Sequence, residues 1–384
     1  RLPRIGILAN SATTSLPPLP LQFSVPSVCS CKIPMPISIF NIAECESLRR
    51  ESRLEPRLLR RVRTAFCKKF LGVEAALAEL PYEIRERFAS QVEFHPLTLE
   101  KQCDSQIDGA TKLLFRTQQG YLIESVILRA GTGRTTLCLS SQVGCAANCD
   151  FCATGKMGIA HNLTPTEMLD QIVQAGELAR DEGRRVRNLV FMGMGEPFHN
   201  EANLYETLQA LVSPELFHHP PSRILVSTVG IPDAMLRCAR RFPDVNLALS
   251  LHSIRQESRE RLIPLAHRYP LPQIRQTLVE LNHLQRGNVM IEYLLLSGVN
   301  DSLDDARELV EFLQGLRVHV NLIPYNLIEE APHLVGTDRQ EREAFGNVLK
   351  AAGLPTTIRY SLGADIAAAC GQLVRRENRR VVAS

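Results

Sequence analysis

From Tyr121 onward, short apolar runs alternate with longer amphipathic segments, and this alternation is the tightest constraint on the fold. The runs 121–128, 135–139, 188–192, 223–227, 245–251, 289–294 and 318–323 read as strands. The segments 164–181, 202–212, 231–241, 271–284, 303–316 and 339–352 read as helices. Thr164-Pro165-Thr166-Glu167 carries a helix start, with a Thr cap, Pro in the first turn and Glu three residues after the cap. Strands separated by helices of this length form parallel βα units. Counted from Thr135 there are six, too few for a closed eightfold barrel. The expected fold is α/β, a partial (βα)6 TIM-like barrel. In such folds the chemistry sits at the carboxyl ends of the strands.

Polar clusters fall at those ends. Gly193-Met194-Gly195-Glu196-Pro197 follows one strand, Ser227-Thr228 ends the next, then Ser250-Leu251-His252, and Asn326 lies just beyond the last. Each cluster alone could be turn chemistry; five at equivalent positions, counting the loop after the first strand, point to one site. That loop carries Cys145, Cys149 and Cys152, a Cys-x3-Cys-x2-Cys triplet. Three thiolates converging on a four-iron cluster leave one iron open to bind a small molecule. Structural zinc sites usually bring Cys-x2-Cys pairs in duplicate, and no second pair of that spacing exists here. Eleven cysteines without a secretory signal read as free thiols in a reducing compartment, the cytoplasm.

The rest of the chain divides by composition. Residues 1–48 are rich in Ser and Pro, with no acidic residue before Glu44. This is expected to be a disordered extension, a targeting peptide or a consequence of where the start was assigned, since the chain does not open with Met. Residues 49–120 form a small N-terminal helical accessory domain. Its first part, 49–69, reads as one amphipathic helix whose Arg and Lys residues face only Glu51 and Glu55. That face is either a solvated surface or a contact for RNA or another polyanion. The catalytic domain spans 121–375, and 376–384 is a basic tail. The net charge of +3 argues for no partner by itself, and no apolar run of membrane-spanning length occurs.

The stretches Ser140–Lys156, Phe191–Pro197, Ser250–His252, Leu322–Asn326 and Asp365–Leu373 resemble the radical S-adenosylmethionine (SAM) enzymes of the RlmN/Cfr family, which methylate adenine in RNA. The resemblance covers roughly 55–375. It implies a [4Fe–4S] cluster on Cys145, Cys149 and Cys152, with SAM on the open iron. Gly195, Glu196, Ser227, Ser250, Leu251, His252 and Asn326 match the SAM-contacting positions. Cys370 matches the methyl-carrying cysteine, Cys138 the second reactive cysteine, and Glu124 the proton-accepting glutamate. Glu124 stands one residue further from Cys138 than the family spacing. Read without the resemblance, Cys370 is either a buried small hydrophobe or a reactive thiol; the small residues Gly363–Ala369 before it favour the latter. Cys67, Cys103 and Cys238 read as packing.

The implied reaction adds a methyl group to an adenine ring carbon, C2 before C8, of ribosomal RNA, with transfer RNA as a second candidate. The implied course runs through methyl-Cys370, a covalent RNA adduct and a transient disulfide with Cys138. A flavodoxin or ferredoxin would donate electrons to a monomer. Two stretches depart from the family pattern, Leu327–Pro332 after Asn326 and Arg359–Ala364 before Asp365. The alternatives are a radical SAM enzyme acting on a peptide or small molecule, and a zinc-containing RNA-binding module.

Overall fold

A computed structural model of the chain describes residues 36–375 together with Glu377 and Asn378. The first 35 residues of the expected extension, and all but two residues of the expected basic tail, lie outside the described residues. The remainder of the extension is structured. Ile37–Ser38 pairs in parallel with Val92–Glu93, and a helix runs over Ile42–Glu51, capped by the Asn41 side chain accepting from Glu44 N–H.

The main sheet has ten strands, numbered here in chain order. They are β1 (Thr98–Asp104), β2 (Ala110–Arg116), β3 (Leu122–Arg129), β4 (Thr135–Cys138) and β5 (Val186–Phe191). Then follow β6 (Ile224–Thr228), β7 (Asn246–Ser250), β8 (Val289–Leu295), β9 (Val318–Pro324) and β10 (Thr356–Ile358). Their spatial order is their chain order. From β4 to β10 every pairing is parallel, and β1 to β4 are antiparallel. The six βα units expected from Thr135 are therefore present, with the short β10 extending the sheet at one edge.

Helices cover the outer face because the strands alternate. In β8, Val289, Ile291, Tyr293 and Leu295 are fully buried on one side, while Glu292 and Leu294 line a cavity on the other. Both faces are covered, which is why these strands read as near-continuous apolar runs. The helix starts follow their local chemistry. Thr164 Oγ1 accepts from Glu167 N–H at 3.2 Å, and the Glu167 carboxylate accepts from Thr164 N–H at 2.8 Å. Ser302 and Asp305 form the same reciprocal cap on the helix Leu303–Leu313.

Two features differ from expectation. The basic segment 49–69 is not one helix. It breaks after Glu51, Arg53 takes a left-handed φ of 52°, and Pro56 opens a second helix, Pro56–Arg63. Much of its charge is engaged within the protein. Arg57 pairs with Glu55 and Arg61 with Glu79, while the buried Arg63 donates to Asn41 and Ile42 carbonyls. The accessory region also ends in the β1–β2 hairpin, and β2 pairs continuously with β3 across the boundary expected at residue 120. Thr98–Asp104 is exposed along almost its whole length, so it carries no apolar period by which a strand could be read. Among the described residues no helix is long and apolar enough to cross a membrane.

The reciprocal cap at Thr164 opens a 17-residue helix that flanks the cysteine loop. Thr164→Ala is expected to lower stability by about 1 kcal/mol, read as a shifted midpoint in urea unfolding with unchanged slope.

Candidate active site

A cavity of about 420 Å³ opens where the parallel strands end. Its wall brings together Cys145, Cys149, Cys152, Cys138, Cys370, Gly195, Glu196, Ser227, Ser250 and His252. Three other residues singled out from the sequence, Leu251, Asn326 and Glu124, are not part of that wall.

The cysteine loop is shaped by close backbone approach. Gly144 has φ +77°, and a Cβ there would lie 2.1 Å from the Ile159 carbonyl oxygen. Asp150 in the loop is anchored three ways. Its backbone N–H donates to Leu262 O at 2.9 Å, and its carboxylate takes Lys156 Nζ and His333 Nε2, each at 2.7 Å. Burial pushes the Cys145 thiol up to about 12 and the Cys149 thiol well above its usual range; the neighbouring thiols add to both shifts. Three such sulfurs gathered in one buried place need positive charge to ionise together.

Arg259 supplies part of that charge. It is fully buried, its Nη2 donates to Val229 O at 2.6 Å, and its Nε and Nη1 have no partner. Burial lowers its guanidinium to about 10, against the opposing pull of Cys149. A buried cation with free donors beside thiols suits an anionic group held by those thiols. Among the described residues no three His, Cys, Asp or Glu side chains stand close enough for a single metal ion. Tetrahedral zinc would need its sulfurs within about 4 Å of each other, since zinc–sulfur bonds are near 2.3 Å. A four-iron cube is wider and accepts thiolates set further apart. Three thiols with a buried counter-cation carrying free donors fit an anionic cluster.

Next to the loop, Gly195 has φ +109° and its Cα lies tight against Gln142 and Ser141, so a side chain there would collide with both. Glu196 is buried, with one carboxylate oxygen accepting from Phe198 N–H at 3.1 Å and the other from Val229 N–H at 2.9 Å. Burial nevertheless pushes its carboxyl up to about 7. His252 sits in the left-handed region with φ 58°. Its Nδ1 accepts from Leu294 N–H at 3.1 Å, which places the ring proton on Nε2. Burial, with help from Arg259, holds the ring down at about 3, hence neutral. Phe151 packs edge-on against it at 4.7 Å. Leu251 lies wholly in the core and offers its backbone N–H to Glu292 O at 3.0 Å.

Cys138 ends β4 and Cys370 comes from the far end of the chain, yet each lies within electrostatic reach of the other. Burial pushes both thiols up, while the Arg359 guanidinium opposes the rise at each. Cys370 has solvent-accessible surface although its sulfur is densely surrounded. It lines the cavity wall.

Cys370 is held there by a segment tied at many points. Asn326 Nδ2 donates to Cys370 O at 3.1 Å, Ala153 N–H to Gly371 O at 2.8 Å, and Thr154 Oγ1 to Leu373 O at 2.5 Å. Asn326 is thus engaged with the thiol-bearing loop. Glu124, 1% exposed, is engaged too: its carboxylate takes Val374 N–H at 3.0 Å, pairs with Lys112 Nζ at 3.2 Å and pairs with Arg375. Asn378 completes the tie by bonding both backbone groups of Leu122 at 2.7 Å.

Three residues of the site escaped the sequence reading: Glu292 and Arg359 on the cavity wall, and Arg259 in the helix Gln256–Leu262 behind it. Glu292 had a signal, a lone carboxylate within the apolar run Val289–Leu295; Arg259 and Arg359 had none.

The radical SAM superfamily profile matches residues 139–313. A probable RNA methyltransferase of Rhodopirellula baltica is 55% identical over 347 residues, 90% of each chain. A probable dual-specificity RNA methyltransferase RlmN of Thermus thermophilus is 42% identical over 77% of this chain and 83% of its own length. The ribosomal RNA large subunit methyltransferase Cfr of Staphylococcus aureus is 36% identical over 82% of this chain and 90% of its own. Among solved structures, a radical SAM methyltransferase from Sphaerobacter thermophilus superposes with a TM-score of 0.83 at 38% identity, covering 88% of this chain and 99% of that one.

Glu124→Gln removes the charge that Lys112 and Arg375 share. It is expected to cost about 3 kcal/mol, measured by urea unfolding, and to loosen the segment carrying Cys370, measured as faster amide exchange over residues 370–375.

Proposed function

The chain belongs to the radical SAM RNA methyltransferases of the RlmN/Cfr family, and we propose that it methylates an adenine ring carbon of ribosomal RNA, C2 in preference to C8. Transfer RNA is the second candidate substrate. The observation that carries this reading is the convergence of Cys138 and Cys370 on the cavity that also holds the cysteine triplet. Two extra thiols at one site suit a methyl carrier and a resolving nucleophile.

Cys145, Cys149 and Cys152 are the proposed cluster ligands, with Arg259 as their buried counter-cation. A [4Fe–4S] cluster held by these thiols would supply, with SAM, the radical that an unactivated methyl group and an electron-poor ring carbon require. Glu196 accepts from the amino group of SAM, and Gly195, at φ +109° against Gln142 and Ser141, permits the turn that carries it. Ser227, Ser250 and the Nε2–H of His252 serve the ribose hydroxyls. The backbone at Leu251 and the side chain of Asn326 support this shell from behind the wall.

The Cys370 thiol loses its proton and takes the methyl group of SAM: the new carbon–sulfur bond forms as the sulfonium–methyl bond breaks, and S-adenosylhomocysteine leaves with that electron pair. The methyl carbon gives one hydrogen atom to the SAM-derived radical and joins the adenine ring; the adduct would return one electron to the cluster, and a base removes the ring proton. Glu124 is the carboxylate assigned to that step, and it must release Arg375 and Val374 N–H to reach it. The Cys138 thiolate then attacks the Cys370 sulfur. A disulfide forms, the bond from that sulfur to the bridging carbon breaks, and its electron pair stays with that carbon, which takes a proton to become the methyl group of the released adenine. Two electrons from a cellular reductant restore the thiols. A flavodoxin or ferredoxin is the proposed donor to the cluster, and the enzyme acts as a cytoplasmic monomer. Residues 49–120 are proposed to meet the RNA.

The decisive experiment uses the anaerobically reconstituted enzyme and ribosomal RNA. Cys138→Ala should accumulate a covalent protein–RNA adduct, and Cys370→Ala should give neither adduct nor product. Intact mass of the wild-type protein should show one added methyl group on Cys370. An unmodified Cys370 together with full turnover of the Cys138 variant would refute the scheme. Separately, Arg259→Met should weaken iron retention about tenfold, read as iron per protein after desalting.

A further inference from the structure

Two charged residues on the cavity wall, Glu292 and Arg359, have no part in the steps above. Glu292 lies in β8, in register with Ser250 of β7 on one side and Asn321 of β9 on the other. It is 2% exposed. Its Oε1 accepts from Asn321 Nδ2 at 3.1 Å, and its Oε2 is buried without any partner. Arg359 follows β10 directly, with its backbone N–H fixed on Leu322 O at 2.8 Å. Its side chain contributes a cationic donor to the same wall.

The charged groups of the wall bear on different thiols. The thiols of Cys145 and Cys149 feel Glu196, and Cys149 also feels Arg259. Cys370 feels Arg359, then Glu292 and then Cys152 of the triplet, and Cys138 feels Cys370 and Arg359. Glu292 and Arg359 therefore stand with the two thiols proposed to act on the base.

An ionised carboxylate only accepts hydrogen bonds and a guanidinium only donates them. Adenine offers a donor beside an acceptor on either of its hydrogen-bonding edges, N6–H next to N1 or to N7. An extruded base is typically read along such an edge. We propose that Glu292 and Arg359 recognise the target adenine of the RNA, Glu292 accepting from the N6 amino group and Arg359 donating to the adjacent ring nitrogen. Asn321 holds the carboxylate in place by occupying its other oxygen. This inference rests on the adenine-methylating reading above. SAM carries an adenine with the same edges, so the test must separate the two.

The probe is a synthetic stem-loop of large-subunit ribosomal RNA containing the adenosine that the wild-type enzyme methylates, and its twin with purine, which lacks N6, at that position. Binding of each is measured by fluorescence anisotropy with S-adenosylhomocysteine present, and SAM affinity by calorimetry. Wild type should prefer adenine about tenfold. Glu292→Met should bring the preference close to unity with SAM affinity and melting temperature retained. Glu292→Gln, which keeps a carbonyl acceptor, should retain part of it, and Arg359→Gln should weaken adenine binding more than purine binding. An undiminished preference in Glu292→Met overturns the proposal. So does a loss of SAM affinity with the preference intact, which would assign the pair to the adenine of SAM. Failure of the parent reading shows separately, as absence of any methylated adenosine with the wild-type enzyme.

Discussion

The ion pairs of Glu124 with Lys112 and Arg375 close the molecule. Glu124 stands on β3, where the antiparallel extension meets the parallel barrel, and its carboxylate also takes Val374 N–H. A carboxylate buried to this degree must be paired, because an isolated one would cost several kcal/mol. Its partners come from the hairpin before it and from the far end of the chain. Satisfying one buried charge thus draws the segment 370–375 across the barrel mouth and lays Cys370 against the cavity. The same residue is the proposed proton acceptor. If it has both tasks, proton removal is coupled to loosening of the segment that carries the methyl.

Two sets of charged groups bear on the cavity beneath this clasp. Three thiols gather beside a fully buried guanidinium with two free donors. Two further thiols stand with Arg359 and the half-satisfied carboxylate of Glu292. His252, Ser227 and Ser250 add neutral polar groups to the wall. Buried polar atoms without partners are rare because they are costly. Here both sets lie where an anionic cluster and a base edge are proposed to bind. The unfavourable terms in the free protein are the terms that binding would relieve.

Much of this was legible in the chain. The apolar runs of the strands and the helix start at Thr164 arise from neighbours a few residues apart, so they survive in a one-dimensional reading. The cysteine triplet and the Gly195-Glu196 turn were legible for the same reason. The β1–β2 hairpin was not, because Thr98–Asp104 is exposed and shows no apolar alternation. The basic stretch 49–69 was misread as one helix because its charge pattern runs unbroken across the turn before Pro56. Glu124 and Asn326 were placed in the working wall, whereas here they tie down the loop of Cys370 from outside it.

What the sequence by itself determined is the βα order, the loop that gathers three thiols at a strand end, and the family. All of these are written in short-range spacing. Tertiary structure alone decided which distant residues share a wall: that Cys370 meets Cys138, that Arg259 is buried with free donors, and that Glu292 keeps an unpaired oxygen. The physical reason is that burial and hydrogen-bond satisfaction are sums over contacts made by the whole fold, and no local pattern in the chain records them.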